Sequence, residues 1–234
     1  MKIAILGAES TGKSQLAGEL ASALRSQGKT VLLVGEYLRE WCDLHGRTPR
    51  AAEQALIACE QVRRVEAASQ TPTKTPTIYP IVIADTTALM TSVYSELLFN
   101  DASLHDFAAA HQRSYDLTLL TGLDLPWVAD GLQRDGPHTR EATDTLLRAA
   151  LGRASLGYQV VYGTGAARLA NALQAVGAAE ADKTTVFIAN YAHGTRAIAI
   201  FPSEKPEKKA LWAWPCEKCS DPDCEHRLFS QLLR

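Results

Sequence analysis

Gly7, Gly12, Lys13 and Ser14 stand in the stretch GAESTGKS, residues 7–14, with four residues between the two glycines and Lys-Ser directly after the second. This G-x-x-x-x-G-K-[ST] spacing is that of a phosphate-binding P-loop. The glycines let successive backbone N–H groups curl around phosphate oxygens with no Cβ in the way. Lys13 brings a fixed positive charge to β- and γ-phosphates, and Ser14 offers a hydroxyl to Mg²⁺. A helix opening near Gly12 adds the positive end of its dipole. The expected ligand is a nucleoside triphosphate, cradled by Gly7, Glu9, Ser10, Thr11, Gly12, Lys13 and Ser14.

Other residue types suited to the same chemistry follow apolar runs further along the chain. GEYLRE supplies Glu36, Tyr37, Arg39 and Glu40. A carboxylate there can take the proton of an attacking hydroxyl or bind a sugar diol, and Arg39 can hold a phosphate or pair with Glu36 or Glu40. Asp85, after IVIA, is placed to hold Mg²⁺, and an Asp at this position also caps a following helix well. LPWVADG carries Trp127 and Asp130, and a loop Trp facing a crevice stacks well on a planar, cationic ring. Beyond it, Leu132–Arg140 reads as an arginine-bearing lid in which Arg134 or Arg140 neutralises charge developing in transfer. GTGAAR, residues 163–168, lacks the third glycine of a dinucleotide fingerprint and follows the last strand. It is read instead as the loop passing beside the nucleotide base, with Arg168 contacting the cofactor.

These residues need a scaffold that brings strand ends together. Apolar, β-branched runs at Lys2–Leu6, Thr30–Gly35, Tyr79–Ala84, Leu117–Thr121 and Tyr158–Tyr162 read as strands. Helical patterns lie between and after them, at Lys13–Ser26, Pro49–Ala68, the Ala88–Gln112 region, Thr139–Leu151 and about Ala166–Val176. Continuously apolar strands joined by helices imply an α/β fold with a five-stranded parallel sheet covered on both faces. Ligands of such sheets bind beyond the carboxyl ends of the strands, where the candidates above all fall. The 234 residues, 46% hydrophobic and 21% charged, allow one domain of generous size with an appendage. The net charge of −2 gives no global basic field toward nucleic acid, and no apolar stretch approaches the length of a membrane helix. Five cysteines without a secretory signal read as a reduced, cytoplasmic chain.

GAESTGKS followed by Leu16-Ala17 and Leu20-Ala21, then EYLRE, then Ile57, Ala58 and Gln61, then ADTT and PWVADG occur in that order. The series resembles the ribosylnicotinamide kinase domain of NadR proteins and its stand-alone AAA-type ATP-binding relatives, over roughly residues 1–180. The resemblance implies phosphoryl transfer from ATP to the 5′-hydroxyl of nicotinamide riboside. Lys13, Ser14 and Mg²⁺ would then hold the phosphates, Asp85 or Glu36 would act as base, and a lid arginine such as Arg134 would steady the transition state. The substrate ring is a pyridinium cation, to which Trp127 offers a stacking face and Asp130 or Glu36 negative charge, with Tyr37 and Arg39 in the same subsite.

Beyond residue 180 the alternation of strands and helices breaks down. TTVFIANYAHGTRAIAIF reads as two strands around a His-Gly turn, and the C-terminal extension 181–234 ends in Cys216, Cys219, Cys224 and His226. Three cysteines and one histidine are a complete tetrahedral Zn²⁺ set by count, with the second pair tightly spaced. Such a knuckle would fold the tail onto the domain or engage a protein partner. A second reading of the chain follows, a nucleotide-switched binding module in which the P-loop hydrolyses ATP slowly and the tail recruits a partner.

Overall fold

The computed structural model describes residues 1–72, 80–128 and 137–191, and for 137–138 and 182–191 the backbone alone. Five strands form one parallel sheet: β1 (Lys2–Leu6), β2 (Val31–Val34), β3 (Ile81–Asp85), β4 (Leu117–Thr121) and β5 (Gln159–Val161), in the order β2-β3-β1-β4-β5. Seven helices accompany them: α1 (Lys13–Ser26), α2 (Tyr37–His45), α3 (Gln54–Ser69), α4 (Ala88–Phe99), α5 (His105–Gln112), α6 (Pro137–Arg153) and α7 (Gly165–Tyr191).

The strands alternate with period two while burying both faces. Ile3 and Ile5 of β1 join Leu117 and Leu119 of β4 under α1 and α7, whereas Ala4 and Leu6 face α4 and α6 with Leu120. Leu16, Leu20 and Leu24 repeat every four residues along α1 and form the stripe that packs on the sheet. β1 lies at the centre, with β3 on one side and β4 on the other, and the segments after β1 and β2 line one cleft with the end of β3.

The parallel five-stranded sheet, helices on both faces, is the fold expected from the sequence pattern, and β1, α1 and β4 have the expected bounds. Three elements differ. The Ala88–Gln112 region is two helices, because Asn100 takes a left-handed conformation (φ 53°) and caps α4. EYLRE is part of a full helix, α2, which buries Trp41 and Cys42 against Ile57. α7 continues through Gly177 to Tyr191, so residues 184–191, expected as a strand, are helical, and the helix crosses the expected boundary at 180. The Ala-rich run after Gly177 favours helix continuation over a break there. No helix among the described residues is long and apolar enough to cross a membrane.

Candidate active site

The phosphate loop turns from β1 into α1 through left-handed backbone at Ser10 (φ 58°) and Gly12 (φ 73°). Gly12 is the N-cap of α1 and provides no side-chain cap, so the first N–H groups of that helix are left for a ligand. Gly7 (φ 147°) lies against Thr121 so closely that a Cβ would collide with the Thr121 hydroxyl. Its role is close approach of strand ends, and it does not line the cleft. Thr11 is fully buried; its hydroxyl donates to Ala8 O at 2.7 Å and lies 2.7 Å from the Thr121 hydroxyl, which donates to Leu6 O at 3.1 Å. This chain of hydroxyls stitches the loop to β4.

Lys13 Nζ donates to Ala8 O at 2.9 Å. Burial pulls its pKa below the ordinary 10.5, while the carboxylates of Glu36, Asp85 and Glu9 push it back up and Arg39 pulls it down. One ammonium therefore faces three acidic side chains drawn from the ends of β1, β2 and β3. Glu36 is the N-cap of α2 and pairs with Arg39 across one turn at 3.8 Å.

Asp85 ends β3 and is 6% exposed; its Oδ1 has no hydrogen-bond partner among the described residues. The next residue, Thr86, takes a left-handed φ of 60°. A β-branched residue there stores strain on the order of 1–3 kcal/mol. Gln61 holds the strained step in place: its Nε2 donates to Thr86 O (3.3 Å) and Gly35 O (3.2 Å), while its Oε1 accepts from Tyr37 N (2.8 Å). One buried amide thus fixes the ends of β2 and β3 and the start of α2.

A cavity of about 980 Å³ runs from the phosphate loop (Glu9–Gln15) past Glu36, Arg39 and Asp85. It continues to a second wall made by Gln54, Tyr94 and Phe99 with neighbours on α2. Gln54 is 2% exposed, and its Oε1 has no hydrogen-bond partner among the described residues. Sequence reasoning missed Gln54, Tyr94 and Phe99, since each sits in an ordinary helical pattern and acquires meaning only when α3 and α4 pack side by side.

The structure brings Glu9, Ser10, Thr11, Gly12, Lys13, Ser14, Glu36, Arg39 and Asp85 together in this cleft. Tyr37 is not among the lining residues; its ring packs under the Arg64 guanidinium at 4.4 Å, bracing α2 on α3. Trp127 does not line the cavity either. Its neighbour Val128 is docked on the phosphate loop, with Val128 N–H donating to Ser10 Oγ at 2.7 Å. Arg168, expected to contact the nucleotide, is buried behind the loop and hydrogen-bonds Thr11 O, Gly163 O and Asp124. Asp130 and Arg134 lie outside the described residues, as do Cys216, Cys219, Cys224 and His226.

Comparison with known proteins agrees with this architecture. A family model described as an AAA domain matches residues 2–187. The chain belongs to the AAA domain family. Among curated proteins none matches it. NadR protein in complex with NAD and AMP-PNP is similar in structure, with a TM-score of 0.58 at 20% identity over 75% of this chain and 48% of that one. NadR in complex with NR gives 0.58 at 19% identity, over 75% and 49%. The chain thus spans about half the length of these NadR chains. Deoxyadenosine kinase from M. mycoides, with its products dCMP and dCDP, gives 0.51 at 14% identity over 76% of this chain and 100% of that one. Each of these likenesses is one of fold: a P-loop kinase-like sheet with its helices.

Proposed function

We propose that this chain is an ATP-dependent kinase that phosphorylates the 5′-hydroxyl of nicotinamide riboside, giving nicotinamide mononucleotide and ADP. The observation that carries the reading is the single cavity joining a complete phosphate loop to Glu36 and then to the wall of Gln54, Tyr94 and Phe99. A donor of phosphate and an acceptor of nucleoside size have room to meet in it. The NadR and deoxyadenosine kinase likenesses support a nucleoside or nucleotide as acceptor.

In this reading the 5′-oxygen attacks the γ-phosphorus, the bond from that phosphorus to the β,γ-bridging oxygen breaks, and ADP leaves with that electron pair. The hydroxyl proton passes to the Glu36 carboxylate, which Arg39 holds from one side. Lys13 gives up its contact with Ala8 O for the phosphates and counters the charge spreading over the transferred group. Asp85 and Ser14 fit Mg²⁺: a buried carboxylate oxygen without a partner and a hydroxyl line the same cleft. No group of three His, Cys, Asp or Glu converges there among the described residues. That sparse donor set suits an ion that keeps its waters and shares substrate phosphates. When bound, Mg²⁺ neutralises phosphate charge. At the far wall Tyr94 and Phe99 offer aromatic faces to the pyridinium ring, and Gln54 an amide for its carboxamide.

The test is ATP turnover with and without nicotinamide riboside, following the mononucleotide by mass. Riboside-dependent product that disappears in Lys13→Ala is the expected result. ATP consumption indifferent to riboside and to other nucleosides overturns the kinase reading and favours the nucleotide-switched module.

A further inference from the structure

Arg168, in the first turn of α7, is 4% exposed, and its guanidinium joins four segments of chain. Nη2 donates to Thr11 O in the phosphate loop at 2.7 Å. Nη1 donates to Gly163 O after β5 at 2.9 Å and to Asp124 Oδ1 after β4 at 3.2 Å. The second Asp124 oxygen accepts from Gly163 N–H at 2.6 Å, closing a ring of three hydrogen bonds with Arg168 Nη1. The two loops, α7 and the phosphate loop therefore meet on a single buried cation paired with a single carboxylate.

The contact with Thr11 O has a consequence for phosphate binding. The Thr11–Gly12 peptide is trans, and a trans peptide points its C=O and its N–H in opposite directions. Drawing the Thr11 carbonyl back onto Arg168 aims the Gly12 N–H forward, to the side where Gly12 and Lys13 line the cleft. The Thr11 hydroxyl ties the loop to Ala8 and Thr121, and Arg168 is the side chain that holds the Thr11 carbonyl. Gly12 has no side chain to anchor it, and Ser10, a non-glycine residue, sits at positive φ, a conformation that persists only where surroundings over-determine it. Leu125 of the same β4 loop lies close to Gly12, its Cδ1 2.9 Å from where a Cβ would be.

We propose that Arg168, held by Asp124, is the positioning residue of the phosphate loop: it sets the direction of the Gly12 N–H, and with it the affinity for nucleotide phosphates, without touching the nucleotide. A guanidinium suits the task because its planar fork reaches Thr11 O with one arm and Gly163 O and Asp124 with the other, which an ammonium cannot do from one place. The inference rests on the nucleotide-binding half of the proposed function and is independent of the acceptor.

Calorimetric titration of the full chain with ADP, and NMR titration with adenosine, test it in the wild type, Arg168→Gln, Arg168→Lys and Asp124→Asn, each with a thermal melt. Arg168→Gln is expected to weaken ADP by about 10- to 100-fold, the scale of one lost hydrogen bond from a charged group. Arg168→Lys should recover only part of that loss, and adenosine binding should change by less than about twofold, since it presents no phosphate to the loop. Equal losses for ADP and adenosine would assign Arg168 to the base or ribose and overturn the proposal. Unchanged ADP affinity in folded variants with lowered melting points would overturn it too, leaving a purely structural strut. Should Arg168→Gln fail to fold, Asp124→Asn carries the test, with a smaller loss expected for ADP alone. A wild type that binds no ADP would fail the nucleotide reading itself, a different outcome from either.

Discussion

One end of the cleft is the phosphate loop, which we propose recognises its ligand largely through backbone, whereas the other end, the proposed acceptor end, is formed by side chains from α2, α3 and α4. The phosphate loop is tied down from several sides, by the Thr11–Thr121 hydroxyl pair, by Ser10 with Val128, and by Arg168 on Thr11 O. The far wall is looser: Leu98 and Phe99 are 47% and 36% exposed, and the Gln54 acceptor is buried without a partner. A rigid end suits a ligand fragment shared by every nucleoside triphosphate. An end with exposed apolar groups and an unmet hydrogen bond suits the part that varies, and its affinity comes from satisfying that bond.

Breaking each end separately should therefore leave different kinetic signatures. Lys13→Ala removes the one positive charge in the loop GAESTGKS, and turnover per ATP (kcat/KM) should fall about 10³-fold with the melting point little changed. Steady-state kinetics with ATP varied checks this. Glu36→Gln keeps size and hydrogen bonding while losing the base, so kcat should drop about 10²-fold with ATP affinity retained. Gln54→Leu acts on the acceptor alone: the riboside KM should rise about tenfold while the ATP KM stays put. Equal changes in both KM values would mean that the two ends are not separable.

The smallest expected effect is a titration. Burial holds Lys13 below its ordinary 10.5, so in the free protein it should lose its proton, and ADP affinity should fall, at a midpoint under that value. Glu36 is the foremost carboxylate favouring the charged lysine, and removing a negative neighbour lowers a lysine pKa. ADP titrations across pH should accordingly place the midpoint of Glu36→Gln below that of the wild type. A midpoint that moves up would contradict the electrostatic arrangement described here.

The same contrast separates what could be read in the sequence from what could not. The phosphate loop is a local pattern, eight consecutive residues, and the strand before it and helix after it follow from local periodicity. Glu36 and Asp85 were readable because strand ends of a parallel sheet converge. Arg168 was misread because its loop looks like a base-binding segment, while the atom it serves belongs to a residue 157 positions earlier. Gln61 entered only through a family likeness, and its part in bracing the strand ends depends on partners 24 to 26 residues away. Gln54 gives no local sign at all; what distinguishes it is a buried acceptor with no partner among the described residues. α2 is only nine residues long, and that it buries Trp41 and Cys42 depends on Ile57 of α3, which no local pattern around EYLRE shows. The tail of α7 looked like a strand for its β-branched Thr184, Thr185 and Val186, but helical context prevails through Tyr191.

The most direct measurement of the central claim is the initial rate of mononucleotide formation with ATP and nicotinamide riboside both varied, in the wild type beside Lys13→Ala and Gln54→Leu. The account predicts product only when both substrates are present, a loss in Lys13→Ala expressed through ATP, and a loss in Gln54→Leu expressed through the riboside. ADP released at the same rate with or without riboside, in a protein whose Gln54→Leu variant behaves like the wild type, would contradict it.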